Sequence, residues 1–180
     1  MAYWFWVFLF FSFLGYLLEK IFAKLTRAEK QNRKGFLLLP LCPVYGLGML
    51  ALMLLPGRLV PNTLWLIFWG AVVTTAVEFT VHWVYEKIFS VSFWDYSATK
   101  MDVDGRICLP FSLAWGVLSA LALRVILPAW EGLYAFIPAW LTAALMLVFL
   151  LDCVGSAHLL WQHHDTERLD LRRVHWEDFH

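Results

Sequence analysis

Five long apolar segments divide this chain, and they constrain its fold more than any other feature. Each holds roughly 20 mostly apolar residues, which is the length of α-helix that crosses the hydrocarbon core of a bilayer. A domain of 180 residues that is 61% hydrophobic and 16% charged could not bury so much apolar surface in water. We therefore expect an all-α polytopic membrane protein. Its five transmembrane helices would run over about 2–22, 36–55, 64–89, 107–127 and 136–161.

A short pattern occurs twice in the chain. Residues 19–22, Glu-Lys-Ile-Phe, recur as residues 86–89, and each copy ends an apolar segment and precedes a polar loop and a G-x4-P-x5-G signature. The aligned positions are Gly35, Pro40, Tyr45 and Gly46 in the first copy, and Gly105, Pro110, Trp115 and Gly116 in the second. Such duplication is common in transporters. We predict two parallel helix–loop–broken-helix repeats, about 2–55 and 64–127, plus one extra helix.

The Lys and Arg residues predict how the helices are oriented. Of the 14, only Arg58 and Arg124 fall on one side of the membrane under the five-helix assignment. The other side carries Lys20, Lys24, Arg27, Lys30, Arg33, Lys34, Lys87, Lys100, Arg106, Arg168, Arg172 and Arg173. The positive-inside rule then places the N-terminus outside and the C-terminus inside a bacterial-type cytoplasmic (inner) membrane. Residues 1–161 would form the transmembrane domain, and 162–180 a cytoplasmic tail.

Prolines interrupt two of the apolar segments. Pro40 and Pro43 lie in the second segment and Pro110 lies in the fourth, where each removes a helical hydrogen bond and clashes with the preceding turn. Backbone groups freed in this way persist in a membrane only where protein or water surrounds them. The pattern fits simple kinks at helix starts, beside Gly35 and Gly105. It also fits half-helices whose N-terminal amides face a polar site.

Ionisable side chains at membrane depth are costly, and they are therefore candidates for function. Glu78, His82 and Glu86 are spaced four residues apart on the third segment, so they share one face of a helix. This face could be a structural polar seam, a proton or cation relay, or a metal site, and the spacing alone does not decide between them. Glu19 on the first segment and Asp152 on the fifth extend the candidate set.

The polar loop between the third and fourth segments contains Trp94-Asp95-Tyr96 and ends at Arg106. Trp and Tyr side chains suit the interface between lipid and water, so this loop is expected to lie along the membrane surface. Its acidic and basic residues could form a local ion-pair cluster that fixes the loop. The alternative is a gate, or a surface on which a cytoplasmic partner docks.

Several classes of function find no support in the sequence. The formal net charge is zero, which points to no nucleic-acid partner, and no phosphate-binding or dinucleotide-binding glycine motif is present. We expect no cofactor on this chain, and any ATP would have to be bound by another chain. The scattered cysteines, Cys42, Cys108 and Cys153, are interpreted as buried apolar residues, and no metal site or disulfide is expected from them.

A set of short motifs, taken in order, covers nearly the whole chain from about residue 11 to 156. They are Ser12-Phe13-Leu14-Gly15-Tyr16 with Glu19, Asn32-Arg33, Gly35-Phe36-Leu37, Pro43-Val44-Tyr45-Gly46, Glu78, Glu86, Trp94-Asp95-Tyr96-Ser97, Gly105-Arg106-Ile107-Cys108-Leu109, Trp115-Gly116 and Asp152. In this set the chain resembles the CmpB-like family, described as putative ABC transporter type IV permeases. A vertebrate transmembrane family of unassigned function shares its domain. The resemblance implies a permease, and if ATP is used, a separate ATP-binding subunit must bind it.

The residues and the resemblance together favour transport. We predict a transporter or permease subunit for a small solute or ion, embedded in the lipid bilayer, with a polar site between the two repeats. Its pathway would be lined by Glu19, Glu78, His82, Glu86, Arg106 and Asp152. Two alternatives remain, a non-catalytic scaffold or regulatory subunit and an integral-membrane enzyme acting on a lipid, although no nucleophile–base motif supports the enzyme. The small size favours a homo- or hetero-oligomer.

Overall fold

A computed structural model describes residues 1–27 and 35–169 of the chain, and this part is mainly helical. The predicted all-α class is therefore confirmed, apart from one small hairpin. The helices are α1 (Ala2–Leu25), α2 (Pro43–Leu52), α3 (Thr63–Phe89), α4 (Leu109–Leu121), α5 (Leu127–Tyr134) and α6 (Ala139–His163). The hairpin pairs β1 (Asp102–Val103) with β2 (Ile107–Cys108), and a 3-10 turn covers Thr166–Leu169.

In the part of the chain that the structure describes, four helices are long and apolar enough to cross a membrane, rather than the five expected. They are α1, α3, α6 and the continuous helix formed by α4 and α5, Leu109–Tyr134. The expected second span is helical only over the 10 residues Pro43–Leu52. At 1.5 Å per residue, such a helix covers about 15 Å, or half the hydrocarbon thickness. Residues 35–42 before it are not helical.

Two of the prolines lie at the beginnings of helices rather than within them. Pro43 and Pro110 both lie in the first turn of their helices, where the missing amide hydrogen is not needed. The expectation that Pro110 interrupts the fourth span is therefore wrong. That helix is distorted elsewhere, in a π-helical turn over Ala122–Ile126. Pro128 follows two residues after this turn, and the wider turn accommodates its ring and its missing hydrogen bond.

The helices pack as two antiparallel pairs, α1 with α2 and α3 with α4. Glycines permit the close approach in both pairs. A Cβ atom at Gly46 of α2 would lie 2.6 Å from the carbonyl oxygen of Phe8, and one at Gly116 would lie 2.5 Å from that of Ile67. Small residues at helix crossings are typical of membrane proteins, because association there depends on close packing.

One cluster of the apolar core lies at the end of the bundle where α1 begins. Its buried members are Val7, Phe11, Met49, Leu52, Leu127 and Trp130. Many other large apolar side chains point outward, including Leu64, Trp140, Leu147 and Val154. Apolar side chains exposed along helices of spanning length are suited to contact with lipid. The chain is an integral membrane protein.

The loop between α3 and α4 folds into a compact cap. Asp104 and Gly105 both have positive φ, the conformation that an Asp-Gly pair adopts in a tight hairpin turn. Two hydrogen bonds join the hairpin to the segment that precedes it. The amide of Tyr96 donates one to the carbonyl oxygen of Gly105, and the indole of Trp94 donates the other to the carbonyl oxygen of Arg106. The sequence motif 94–97 thus belongs to an ordered cap over the ends of α3 and α4.

Candidate functional site

Glu78 lies at the centre of the bundle, on the middle part of α3, and only 4% of its surface is exposed. The hydroxyl of Tyr96 donates a hydrogen bond of 2.9 Å to Oε1 of Glu78, and the indole of Trp115 donates one of 3.0 Å to Oε2. Each oxygen of a carboxylate can accept about two hydrogen bonds, so each keeps acceptor capacity beyond these contacts. An ionisable group at this depth is thus held by a donor from the loop and a donor from α4.

A second carboxylate belongs to the same arrangement. The hydroxyl of Tyr45 on α2 donates to Oε1 of Glu19 on α1 over 2.7 Å. The Tyr45 ring meets the Trp115 ring edge to face, with centroids 5.0 Å apart. The two carboxylates are therefore connected through a pair of aromatic side chains, one from each helix pair.

Two cavities lie between the helix pairs on either side of this aromatic layer. The first, of about 280 Å³, is mainly apolar and extends toward Leu52 and Ile126, away from the loop. We call it the apolar cavity. The second, of about 390 Å³, extends toward the loop and is lined by Glu19, Asp95 and Tyr96 among others. We call it the loop-side cavity. Both cavities have Leu18, Val44, Tyr45, Glu78, Trp115 and Leu118 in their walls.

Tyr96 brings the loop into the bundle. Burial, followed by the negative charge of Glu78, raises the pKa of the Tyr96 hydroxyl well above its ordinary value, so it stays a proton donor. Its neighbour Asp95 accepts from the amide and hydroxyl of Ser97, and these bonds lower the pKa of that carboxyl. Asp95 thus shapes the turn that aims Tyr96 at Glu78.

His82 is buried on the same helix as Glu78, but it contacts the beginning of the loop. Its Nε2 lies 3.0 Å from the hydroxyl of Ser92 and 3.0 Å from the carbonyl oxygen of Trp94. Neither of the two cavities includes His82 in its lining. The structure brings Glu78 to the cavities and places His82 against the beginning of the loop.

Glu86 and Arg106 form an ion pair at the loop end of α3. The nitrogen–oxygen distance is 2.8 Å, and Arg106 also contacts Asp104 at 3.2 Å. Glu86 is half exposed, and neither residue lines the cavities described above. Glu19 and Glu86 are equivalent in the predicted repeat, yet Glu19 contacts a tyrosine of α2 and Glu86 contacts an arginine of the loop. The contacts of the two copies therefore differ.

Asp152 on α6 supports the non-helical segment that precedes α2. The amide of Leu39 lies 3.3 Å from both of its carboxylate oxygens, and the amide of Leu38 donates to the hydroxyl of Ser156 over 3.1 Å. The amide of Cys42 donates to the carbonyl of Ser12 on α1. Backbone groups that lack helical partners in a membrane must be satisfied in this way.

The remaining motif positions divide between packing and the cavity. Gly35 lines the loop-side cavity, and Pro40 lies in the non-helical segment beside it. Gly105 has a φ of +67° and a Cβ atom there would lie 2.7 Å from Oδ1 of Asp95, so glycine is required by both conformation and space. Among the described residues, no three His, Cys, Asp or Glu side chains come together in a group that could hold a metal.

Sequence reasoning missed several residues of this site. Trp115 and Tyr96 belong to the sequence motifs, but the sequence does not identify them as partners of Glu78, which lies 37 and 18 positions away from them. Ser156 was not a candidate, although it stands one helical turn from Asp152 and that spacing was a usable signal. The predictions that involve Lys30, Asn32, Arg33, Lys34, Arg172 and Arg173 fall outside the described residues.

Comparison with known protein families gives one match. The family model described as putative ABC-transporter type IV matches residues 6–157, which include all four spanning helices nearly in full and the whole of the site. The chain belongs to this family, as its motifs predicted. No match was found among curated proteins or among solved structures.

Proposed function

We propose that this member of the putative ABC-transporter type IV family is a membrane transport subunit for a small solute, which passes Glu78 between the two helix pairs. The helix pair α1/α2 would move against the pair α3/α4 during transport, as rocking of one bundle against another does in many transporters. The six predicted pathway residues would then divide by role. Glu78 and Glu19 face the solute, while His82, Glu86, Arg106 and Asp152 hold the cap and the segment before α2.

One observation carries the proposal, namely the pair of cavities that share a wall at Glu78. The apolar cavity extends toward one end of the bundle, as far as Leu52 and Ile126, and the loop-side cavity extends toward the other. Tyr45, Trp115 and Glu78 separate them, and each belongs to both linings. A bundle with a purely structural role has no need of two cavities, because dense packing is more stable than a void. A solute pathway requires such space on both sides of a closed constriction.

The energy source is proposed to be an ATP-binding partner. The sequence contains no motif for binding ATP, while the family is described by its relation to ABC transporters. Native mass spectrometry of the gently extracted protein from its host is expected to detect an ATP-binding subunit. Recovery of this chain only as a homo-oligomer would contradict the ATP-driven mechanism, and ion-coupled transport or a scaffold would then be favoured.

Cysteine accessibility tests the pathway itself. In a background with the three native cysteines replaced by alanine, Thr74→Cys reports on the apolar cavity and Ala114→Cys reports on the loop-side cavity. A water-soluble, membrane-impermeant thiol reagent is expected to label these two positions from opposite sides of the membrane. Leu147→Cys is the matched control, because that side chain is 60% exposed on α6 and faces outward. It should react from neither side.

The outcomes of the labelling are distinct. Labelling of the two cavity positions from opposite sides supports a pathway with a closure at Glu78. If neither position reacts while the protein remains folded, the interior is sealed and the transport proposal fails.

A further inference from the structure

The loop-side cavity is lined by many aromatic side chains and by acidic ones. Aromatic side chains from α1, α2, α4 and the loop surround it. They are Phe22, Tyr45, Phe93, Trp94, Tyr96, Phe111 and Trp115. Its charged lining residues are Glu19, Glu78 and Asp95, and among the described residues its lining contains no Lys, Arg or His. Over the residues that the structure describes, the cavity thus combines aromatic walls with negatively charged side chains.

This combination selects for positive charge. A cation is attracted to the negative face of an aromatic ring, and the attraction strengthens when water is excluded. A carboxylate in the same cavity adds a direct electrostatic attraction and disfavours anions by repulsion. Cages of aromatic residues are a common means of recognising ammonium groups. A neutral solute of the same shape would gain only contact with the apolar walls.

The size of the cavity and the contacts of Glu78 indicate an organic cation rather than a bare metal ion. A space of about 390 Å³ lies within the range of sites for small molecules. Among the described residues no cluster of His, Cys, Asp or Glu side chains suited to a metal is present. Glu78 receives one donor on each oxygen from Tyr96 and Trp115, and each oxygen can accept a further hydrogen bond from an ammonium group.

We propose that the loop-side cavity binds a small organic cation, either a protonated amine or a quaternary ammonium ion, with Glu78 as its counter-ion and Tyr45 and Trp115 as aromatic walls. This proposal deepens the proposed function by giving the chemical class of the solute, and it rests on that function only for the claim that the cation is transported. Binding itself depends on the cavity alone. Tyr96, whose hydroxyl donates a hydrogen bond to Glu78 from the loop, forms part of the wall on that side.

The test compares a cation with its neutral isostere on the complete protein in a non-ionic detergent. Choline is titrated by isothermal calorimetry, and 3,3-dimethylbutan-1-ol, which has carbon in place of the ammonium nitrogen, is titrated in parallel. We expect saturable binding of choline and at least about tenfold weaker binding of the alcohol. Tetramethylammonium, which lacks the hydroxyl, is expected to compete with choline. Equal binding of choline and the alcohol overturns the proposal, as does the absence of saturable binding by choline, by tetramethylammonium and by protonated ethanolamine, which represents the primary ammonium ions.

A pair of variants locates the site. Glu78→Gln keeps the shape of the side chain and removes its charge, and is expected to weaken choline binding at least about tenfold. Glu131→Gln is the matched control, because Glu131 also accepts a tyrosine hydroxyl, from Tyr3 over 2.8 Å, but lines neither cavity. Binding should be unchanged there. If Glu78→Gln reduces yield of folded protein, the comparison of choline with the alcohol on the unaltered protein still decides the matter.

The two proposals fail in different ways. Choline binding that depends on Glu78, together with sealed cysteine positions, would keep the cation site and remove the pathway. Cysteine positions labelled from opposite sides without any ammonium binding would keep the pathway and overturn the cation class.

Discussion

Glu78 shows how a carboxyl group is accommodated at membrane depth. Its two oxygens accept hydrogen bonds from Tyr96 and Trp115. These two residues belong to elements that are distant in the sequence and meet only in the folded chain. A buried charge without such donors would be costly. The same donors fix the side chain between the two cavities, so one set of contacts stabilises the protein and orients the candidate binding group.

Replacing Trp115 by phenylalanine tests the importance of the contact from α4. The change keeps an aromatic ring and removes the indole donor to Glu78, so the free energy of unfolding is expected to fall by about 1–3 kcal/mol. Unfolding in mixed micelles with a denaturing detergent measures the difference. Trp140→Phe is the control, because Trp140 is 70% exposed on α6 and should be nearly neutral. Equal effects of the two changes would contradict a stabilising role for the indole of Trp115.

At the scale of the element, the half-length helix α2 and the segment before it depend on their neighbours. Residues 35–42 have no helical hydrogen bonds of their own, and α6 and α1 supply acceptors through Asp152, Ser156 and the carbonyl of Ser12. This support allows a non-helical segment to persist within a membrane. It also leaves the space beside Gly35 that becomes part of the loop-side cavity.

Ser156→Ala tests the support from α6. The amide of Leu38 would lose the acceptor that Ser156 supplies in a part-buried position, and the free energy of unfolding should fall by about 1 kcal/mol. Thr80→Ala removes a hydroxyl that bonds only within its own helix, to the carbonyl of Ala76, and is exposed. In the same unfolding assay Thr80→Ala should change little. A result with the order reversed would argue against the role given to Ser156.

The crossing of α1 and α2 can be tested with two neighbouring glycines. A Cβ atom at Gly46 would lie 2.6 Å from the Phe8 carbonyl oxygen, whereas one at Gly48 would have its nearest contact at 3.7 Å, with Thr74. Gly46→Ala is therefore expected to destabilise the protein by about 1–3 kcal/mol through overpacking. Gly48→Ala, on the same helix, should be neutral or slightly stabilising. Thermal unfolding of the two variants side by side distinguishes them, and similar melting temperatures would show that α1 and α2 can separate at little cost.

At the scale of the whole molecule, the contacts assign the chain's elements to two ends of the bundle. The indole of Trp6, near the start of α1, donates a hydrogen bond to the hydroxyl of Thr142, near the start of α6. At the loop end, the ring of His164, which follows α6, contacts the carbonyl oxygen of Phe89. The first residue and the end of α6 thus lie at opposite ends. Arg124 is held at the end away from the loop by Thr63 and the carbonyls of residues 60 and 61.

Reporter fusions test the predicted orientation. A fluorescent protein fused after residue 180 is expected to be bright, and alkaline phosphatase at the same point inactive, because basic residues favour the cytoplasmic side at that end. The control is a phosphatase fusion after Gly57, in the segment between α2 and α3, which should be active. Active phosphatase at the C-terminus would reverse the predicted orientation of every helix.

The sequence by itself determined the membrane class, the all-α fold and the approximate positions of the four spanning helices. These features are local, because a long apolar run must satisfy its own backbone hydrogen bonds within lipid, and a helix does so. The family was also predictable from ordered motifs. The tandem repeat and the pathway residues remain predictions.

The tertiary structure alone decided the length of α2, the fold of the cap and the partners of Glu78. The apolar run over 36–55 had the composition of a full span, and only the acceptors offered by α6 and α1 allow its first half to stay non-helical. Likewise, the spacing of Glu78 and His82 placed them on one helical face, but the packing of the loop and α4 turned one toward the cavities and the other toward the cap. Contacts of this kind depend on where helices cross, which the local sequence does not specify.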